Sequence, residues 1–81
     1  LNGISFFPNP AKHFVEIEST QPLNGECDVK VYNILGEIVL QEHYNNFNNS
    51  QVINIESLLP GSYIIEFQNK AHTVKHKLIV E

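Results

Sequence analysis

Residues Ser57 to Phe67 constrain the fold more than any other stretch of the chain. In an extended backbone Tyr63, Ile65 and Phe67 fall on one side and Ser62, Glu66 and Gln68 on the other, with only Ile64 breaking the alternation. That is the pattern of a strand with one face buried and one in water. Pro60 fixes its own φ and biases Leu59 towards an extended conformation, while Gly61 can take a positive φ. Pro60-Gly61 therefore reads as a tight corner feeding directly into the strand.

The same period recurs along the chain. Ile4 to Phe7 is a short apolar run stopped by Pro8-Asn9-Pro10, which forbids helix and predicts an edge strand followed by a corner. His13 to Glu18 predicts a second strand, with Val15 and Ile17 on one face, Glu16 and Glu18 on the other, and Phe14 out of phase. Gln21-Pro22-Leu23-Asn24-Gly25 is dense in turn formers and predicts a loop. Cys27 to Ile34 predicts a third strand, in which Cys27, Val29 and Val31 oppose Asp28, Lys30 and Tyr32. Leu35-Gly36 marks the bend before the next strand. There Ile38, Val39 and Leu40 run continuously, which fits either a strand covered on both faces or a bulge that shifts phase, and Gln41 to Tyr44 carry it towards the surface.

Asn45 to Ser50 reads as an exposed asparagine-rich loop, with Phe47 folded back onto the domain. Asn48-Asn49-Ser50 also fits a glycosylation acceptor pattern, a three-residue match too short to build on. Val52 to Glu56 alternates Ile53 and Ile55 with Asn54 and Glu56. The last run sets Val74, His76, Leu78 and Val80 against Thr73, Lys75, Lys77 and Ile79, so the sequence ends in a strand. Seven short strands at roughly ten-residue spacing, with no helical period, predict an all-β, seven-stranded immunoglobulin-like β-sandwich. The Cys…Trp…Cys core of antibody domains is absent.

Eighty-one residues make one domain with a small core, in which every buried strand face counts. The absence of any apolar run near the roughly 20 residues that span a bilayer argues against membrane insertion. A net charge of −4 with five Lys plus Arg argues against nucleic acid, whose phosphates require a clustered basic surface. The single cysteine, Cys27, reads as a small buried apolar residue. The sequence opens on Leu1, lacks methionine and shows no basic-then-apolar export segment, so it is expected to be a piece of a longer protein, from its C-terminal or internal part.

No motif for chemistry stands out. Glu16, Glu18 and Glu66 occupy outward positions where a charge is readily solvated. No serine sits in a nucleophile elbow and no glycine-rich loop opens a helix, so neither catalysis nor a cofactor is expected. His72 and His76 would chelate a metal on a helix. On a strand they stand roughly 13 Å apart, so solvated or partly covered histidines are preferred over a site completed by His13 or His43 across strands. Tyr63 and Phe67 share the inner face with Ile65, and Tyr32 is the aromatic expected to be exposed.

Four ordered blocks resemble a known family: Phe7-Pro8-Asn9-Pro10, Val31 to Val39 (Val-Tyr-Asn-Ile-Leu-Gly-Glu-Ile-Val), Leu58 to Ile65 (Leu-Leu-Pro-Gly-Ser-Tyr-Ile-Ile) and Lys77-Leu78-Ile79-Val80. Their order and spacing are similar to those of the type IX secretion C-terminal sorting domain, type A, known from Bacteroidetes, and the resemblance spans residues 4 to 80. It implies an immunoglobulin-like sandwich, here residues 1–81, at the C-terminus of a larger cargo that is exported through the periplasm and outer membrane to the cell surface or medium. It implies two partners, the type IX translocon and a surface sortase that removes the domain and attaches the cargo to the surface. By position, the resemblance makes Pro8, Asn9 and Pro10 an opening corner, Leu35 and Gly36 a bend, and Pro60, Gly61 and Tyr63 a second corner. Lys77, Leu78, Ile79, Val80 and Glu81 become the signal strand. Many relatives carry glycine where this chain has Asn69-Lys70-Ala71, and a basic pair where it has His76-Lys77.

A terminal strand with a charged face can offer backbone hydrogen bonds to a receptor by strand addition, or pair with a second copy at a sheet edge. The competing reading is that Leu78 and Val80 simply close the sandwich. A reading from a different class is an adhesion or carbohydrate-binding module that uses Tyr32, Tyr44 and Phe47 as a contact patch.

Overall fold

The structure, a computed structural model, describes residues 3–21 and 23–81, with the side chain of Asn24 left out. Seven strands follow in order: β1 (Ile4–Phe7), β2 (Phe14–Ser19), β3 (Asn24–Tyr32), β4 (Ile38–Asn48), β5 (Ser50–Asn54), β6 (Gly61–Gln68) and β7 (Thr73–Val80). The hydrogen-bonded order is β1-β2-β5-β4-β3-β6-β7. β4 and β5 share only the Asn48/Ser50 pair, so the sheet folds at that corner into a three-stranded layer, β1-β2-β5, and a four-stranded layer, β4-β3-β6-β7. All strand pairs are antiparallel. The expected seven-stranded sandwich is the fold observed.

The core is built from the alternating inner residues of both layers. Val15, Ile17 and Ile53 from one layer meet Val29, Val31, Ile65, Phe67 and Leu78 from the other, and all are essentially inaccessible. Burying each such side chain contributes about 1.5–3 kcal/mol. Cys27 lies in phase with Val29 and Val31 and is buried, and desolvation, with the Asp28 carboxylate adding to it, pushes its thiol up to about 11. A thiol held neutral in this way is packing material.

Two segments depart from the sequence reading, and a third decides between its two alternatives. The predicted loop 21–25 is shorter, because β3 already starts at Asn24; Pro22 lies outside the described residues. The predicted loop 45–50 is mostly strand. β4 runs through Asn48, and the turn collapses onto Asn49 alone, whose φ of 66° is the left-handed geometry that asparagine tolerates. The Asn49 side chain accepts a hydrogen bond from the Leu23 amide, its own amide donates to the Leu23 carbonyl, and its carbonyl accepts from the Ser19 amide. One residue thus ties the corner to both layers, and an asparagine run that looks like loop composition serves a strand. The inward turn of Phe47 holds: it is buried and packs edge-on against Phe67 at 5.3 Å.

Ile38-Val39-Leu40 takes the second of its two expected forms, the bulge. Ile38 pairs with Tyr32 and Leu40 with Val31, leaving Val39 as the extra residue of a bulge. Ile38 and Val39 are exposed, so the continuous apolar run records a change of phase and not two covered faces.

Candidate functional site at the end of the terminal strand

β7 alternates as its sequence requires. Leu78 and Val80 point into the core, 0% and 3% exposed, while Lys77 and Glu81 are exposed and Ile79 is half-buried on the outer side. The expected signal residues are thus of two kinds, with two acting as anchors and three displayed. On one side β7 pairs with β6 along its whole length, from Gly61/Val80 to Gln68/Thr73.

The other side is an edge, and half of it is closed. The Asn9 side chain lies against it like one residue of a neighbouring strand: its Nδ2 donates to the Lys77 carbonyl at 2.8 Å, and its Oδ1 accepts from the Ile79 amide at 3.0 Å. Ala11 continues the ladder. Its amide donates to the Ile79 carbonyl and its carbonyl accepts from the Glu81 amide, both at 2.8 Å, forming a parallel bridge to Val80. Among the described residues nothing comparable covers the edge at Thr73 and Lys75.

The β3–β4 hairpin lies next to this end, and Asn33 shapes its turn. Its Oδ1 accepts from the amides of Leu35 (2.9 Å) and Glu37 (3.0 Å), and its Nδ2 donates to the Glu37 carboxylate at 2.7 Å. Gly36 has φ 84° in the tight turn, a conformation that a β-carbon disfavours. The result is a rigid tip that exposes Ile34 (83%) and Leu35 (78%) to water. The Pro60-Gly61 corner is held in a similar manner, with the Tyr63 hydroxyl donating to the Leu59 carbonyl and the Leu58 amide to the Ile55 carbonyl. The Tyr63 hydroxyl thus braces the corner that precedes its own strand.

On the outer face Tyr32 pairs with Ile64, and Ile64 with Lys77. A shallow groove there is bordered by Ile34, Ile64, Tyr63 and Lys77. Glu66, expected in water, is only 7% exposed; it accepts from the Tyr32 hydroxyl at 2.8 Å and lies 3.8 Å from the Lys75 ammonium. A carboxylate in mid-sheet becomes tolerable because neighbours on both flanking strands satisfy it. For the same reason Tyr32 is half-buried instead of projecting, and its hydrogen bond to Glu66 raises its pKa.

The proposed sugar-binding aromatics do not form a patch. Phe47 is core, 1% exposed. Tyr44 pairs with Cys27 on the inner side, where burial pushes its phenol up to about 12, whereas Tyr32 lies on the opposite face. The histidines are likewise separate. His13 is engaged with Glu56 at 3.1 Å, and the ring of His76 packs on Phe6 at 5.0 Å. His43 bonds Asp28 through Nδ1 at 2.8 Å and meets Glu26 through Nε2 at 3.3 Å. Carboxylates on opposite ring nitrogens make an ion-pair geometry, and no cluster that could hold a metal ion occurs among the described residues.

The hydrogen bond to Asp28 holds the His43 imidazole above its ordinary pKa, against a smaller desolvation effect. A folded-state pKa above the unfolded one adds stability that is fully present below the unfolded value of about 6.5 and fades as pH rises through the folded value. An NMR titration of His43 is expected to show a raised midpoint that falls back in Asp28→Asn; an unchanged midpoint in that variant would remove Asp28 as the cause.

All four motif blocks therefore meet at one end of the sandwich, the first gripping the edge of the fourth and the second and third flanking its outer face. A family model for the secretion system C-terminal sorting domain matches residues 5–81. The chain belongs to this sorting-domain family. A search of curated proteins finds no match. As a type IX secretion sorting domain it is a signal, recognised by the secretion machinery, that takes the protein carrying it across the outer membrane to the cell surface or medium. The family is not a catalytic one. Sequence reasoning placed the family's blocks but missed the Asn9 contact with β7, which spans about seventy residues of chain and has no local signature.

Proposed function

We propose that the type IX translocon reads the folded end of β7, with Lys77, Ile79 and Glu81 as the contacted side chains and Leu78 and Val80 as the anchors that present them. On this reading residues 1–81 act as one sorting domain for a cargo joined to their N-terminal side. A surface sortase then removes the domain, leaving the cargo attached to the cell surface or released. The reading rests on the alternation of β7: its inner residues are fixed in the core, so the outer side chains stand at set positions beside the Ile34 tip and the Asn9 contact.

A substitution confined to the displayed side separates recognition from folding. Lys77→Glu changes an exposed residue, for which stability shifts are typically within about 0.5 kcal/mol. Surface delivery of a cargo bearing this variant is expected to fall several-fold, with an unchanged thermal midpoint for the domain. Full delivery by both Lys77→Glu and Ile79→Ser would rule out the outer side of β7 as the recognised surface.

A further inference from the structure

The Asn9 contact gives an additional residue a role in sorting. We propose that Asn9 is a positioning residue for the signal strand: its side-chain amide substitutes for a neighbouring strand, holds residues 77–81 on the sheet and closes that edge to other chains. The proposal rests on the reading of β7 as the recognised element. Its structural half stands independently.

Geometry supports this role over that of a simple corner. A primary amide has one donor and one acceptor arm, the two groups that a strand residue presents to its neighbour. Asn9 directs both arms at successive outward groups of β7, the Lys77 carbonyl and the Ile79 amide. Ala11 takes the next two, the Ile79 carbonyl and the Glu81 amide. Four hydrogen bonds thus secure the stretch that carries Lys77, Ile79 and Glu81. Ala11 is 2% exposed, so its contact is buried, whereas Asn9 lies in water, where losing it leaves no buried polar group unsatisfied. Unpaired edge groups invite intermolecular pairing, and an edge covered from within avoids it. A recognised strand needs that protection, because self-pairing would hide the surface to be read.

Asn9→Asp is the informative change. The ionised carboxylate can still accept from the Ile79 amide but has no hydrogen to give the Lys77 carbonyl and repels it; the protonated carboxyl restores the donor. Protection of the Ile79 amide from hydrogen exchange, corrected for intrinsic rate, is expected to drop at least tenfold in Asn9→Ala, which removes both arms, and by less in Asn9→Asp at pH 7, which keeps the acceptor for Ile79 but loses the bond to the Lys77 carbonyl. It should recover in Asn9→Asp near pH 3 but not in Asn9→Ala, while Ile65 and Phe67 amides keep wild-type protection throughout. In a reporter fused to the full chain, Asn9→Ala should reduce surface delivery at unchanged global stability. Unaltered Ile79 protection in both variants would overturn the clamp. Lost protection with full delivery would overturn its role in sorting, provided that Lys77→Glu or Ile79→Ser reduces delivery. If Lys77→Glu and Ile79→Ser are also fully delivered, it is the reading of β7 that fails.

Discussion

Truncating Leu78 to alanine is expected to lower the unfolding free energy by about 2–5 kcal/mol, the range for a large core side chain whose site only partly collapses. Leu78 is completely buried between the layers. A domain of 81 residues is expected to have a total stability of only about 4–12 kcal/mol, so this one change can consume much of it. Urea unfolding measures the effect directly: the midpoint should fall with little change in slope. A loss below about 1 kcal/mol would mean that the end of β7 packs loosely and is not anchored as described. Leu78 is also one of the five residues proposed to form the signal, and any deletion of Lys77 to Glu81 removes Leu78, Val80 and the Ala11 and Asn9 bonds together. Cargo trapped by such a deletion would report lost fold and lost signal at once. For that reason the displayed side chains, not the whole strand, carry the test of recognition.

Phe47→Ala is expected to cost about 3–5 kcal/mol, because the ring is 1% exposed and packs edge-on against Phe67 at the corner where the two layers meet. The same substitution would be the natural probe for a glycan-binding patch. Any loss of glycan retention in it should coincide with loss of the folded state by circular dichroism. A Phe47→Ala domain of wild-type stability that fails to bind a glycan would revive the adhesion reading.

Much of the fold was legible because strand alternation is a local signal. Val15/Ile17, Val29/Val31, Ile53/Ile55 and Leu78/Val80 all face the core in the phase their spacing dictates. Departures came where tertiary structure reassigns a residue that has an ordinary local meaning. Asn45 to Asn48 carry loop composition, yet they are drawn into β4 because Phe47 must reach the core and Asn49 can turn the corner alone. Glu66 looks solvated from its phase. It is covered because Tyr32, from β3, and Lys75, from β7, close over it, and neither neighbour can be inferred from β6 alone. At the candidate site the blocks were visible but their convergence was not, since Asn9 and Ile79 come together only when the chain has returned to its first corner.

The most direct test of the account is gain of function. Residues 1–81 are fused to the C-terminus of a reporter exported to the periplasm, in a bacterium with a type IX system, and reporter on the surface and in the medium is measured. The expected result is that the reporter reaches the surface or medium with the wild-type chain and does so several-fold less with Lys77→Glu. A wild-type domain that is folded in the fusion yet leaves the reporter in the periplasm would contradict it.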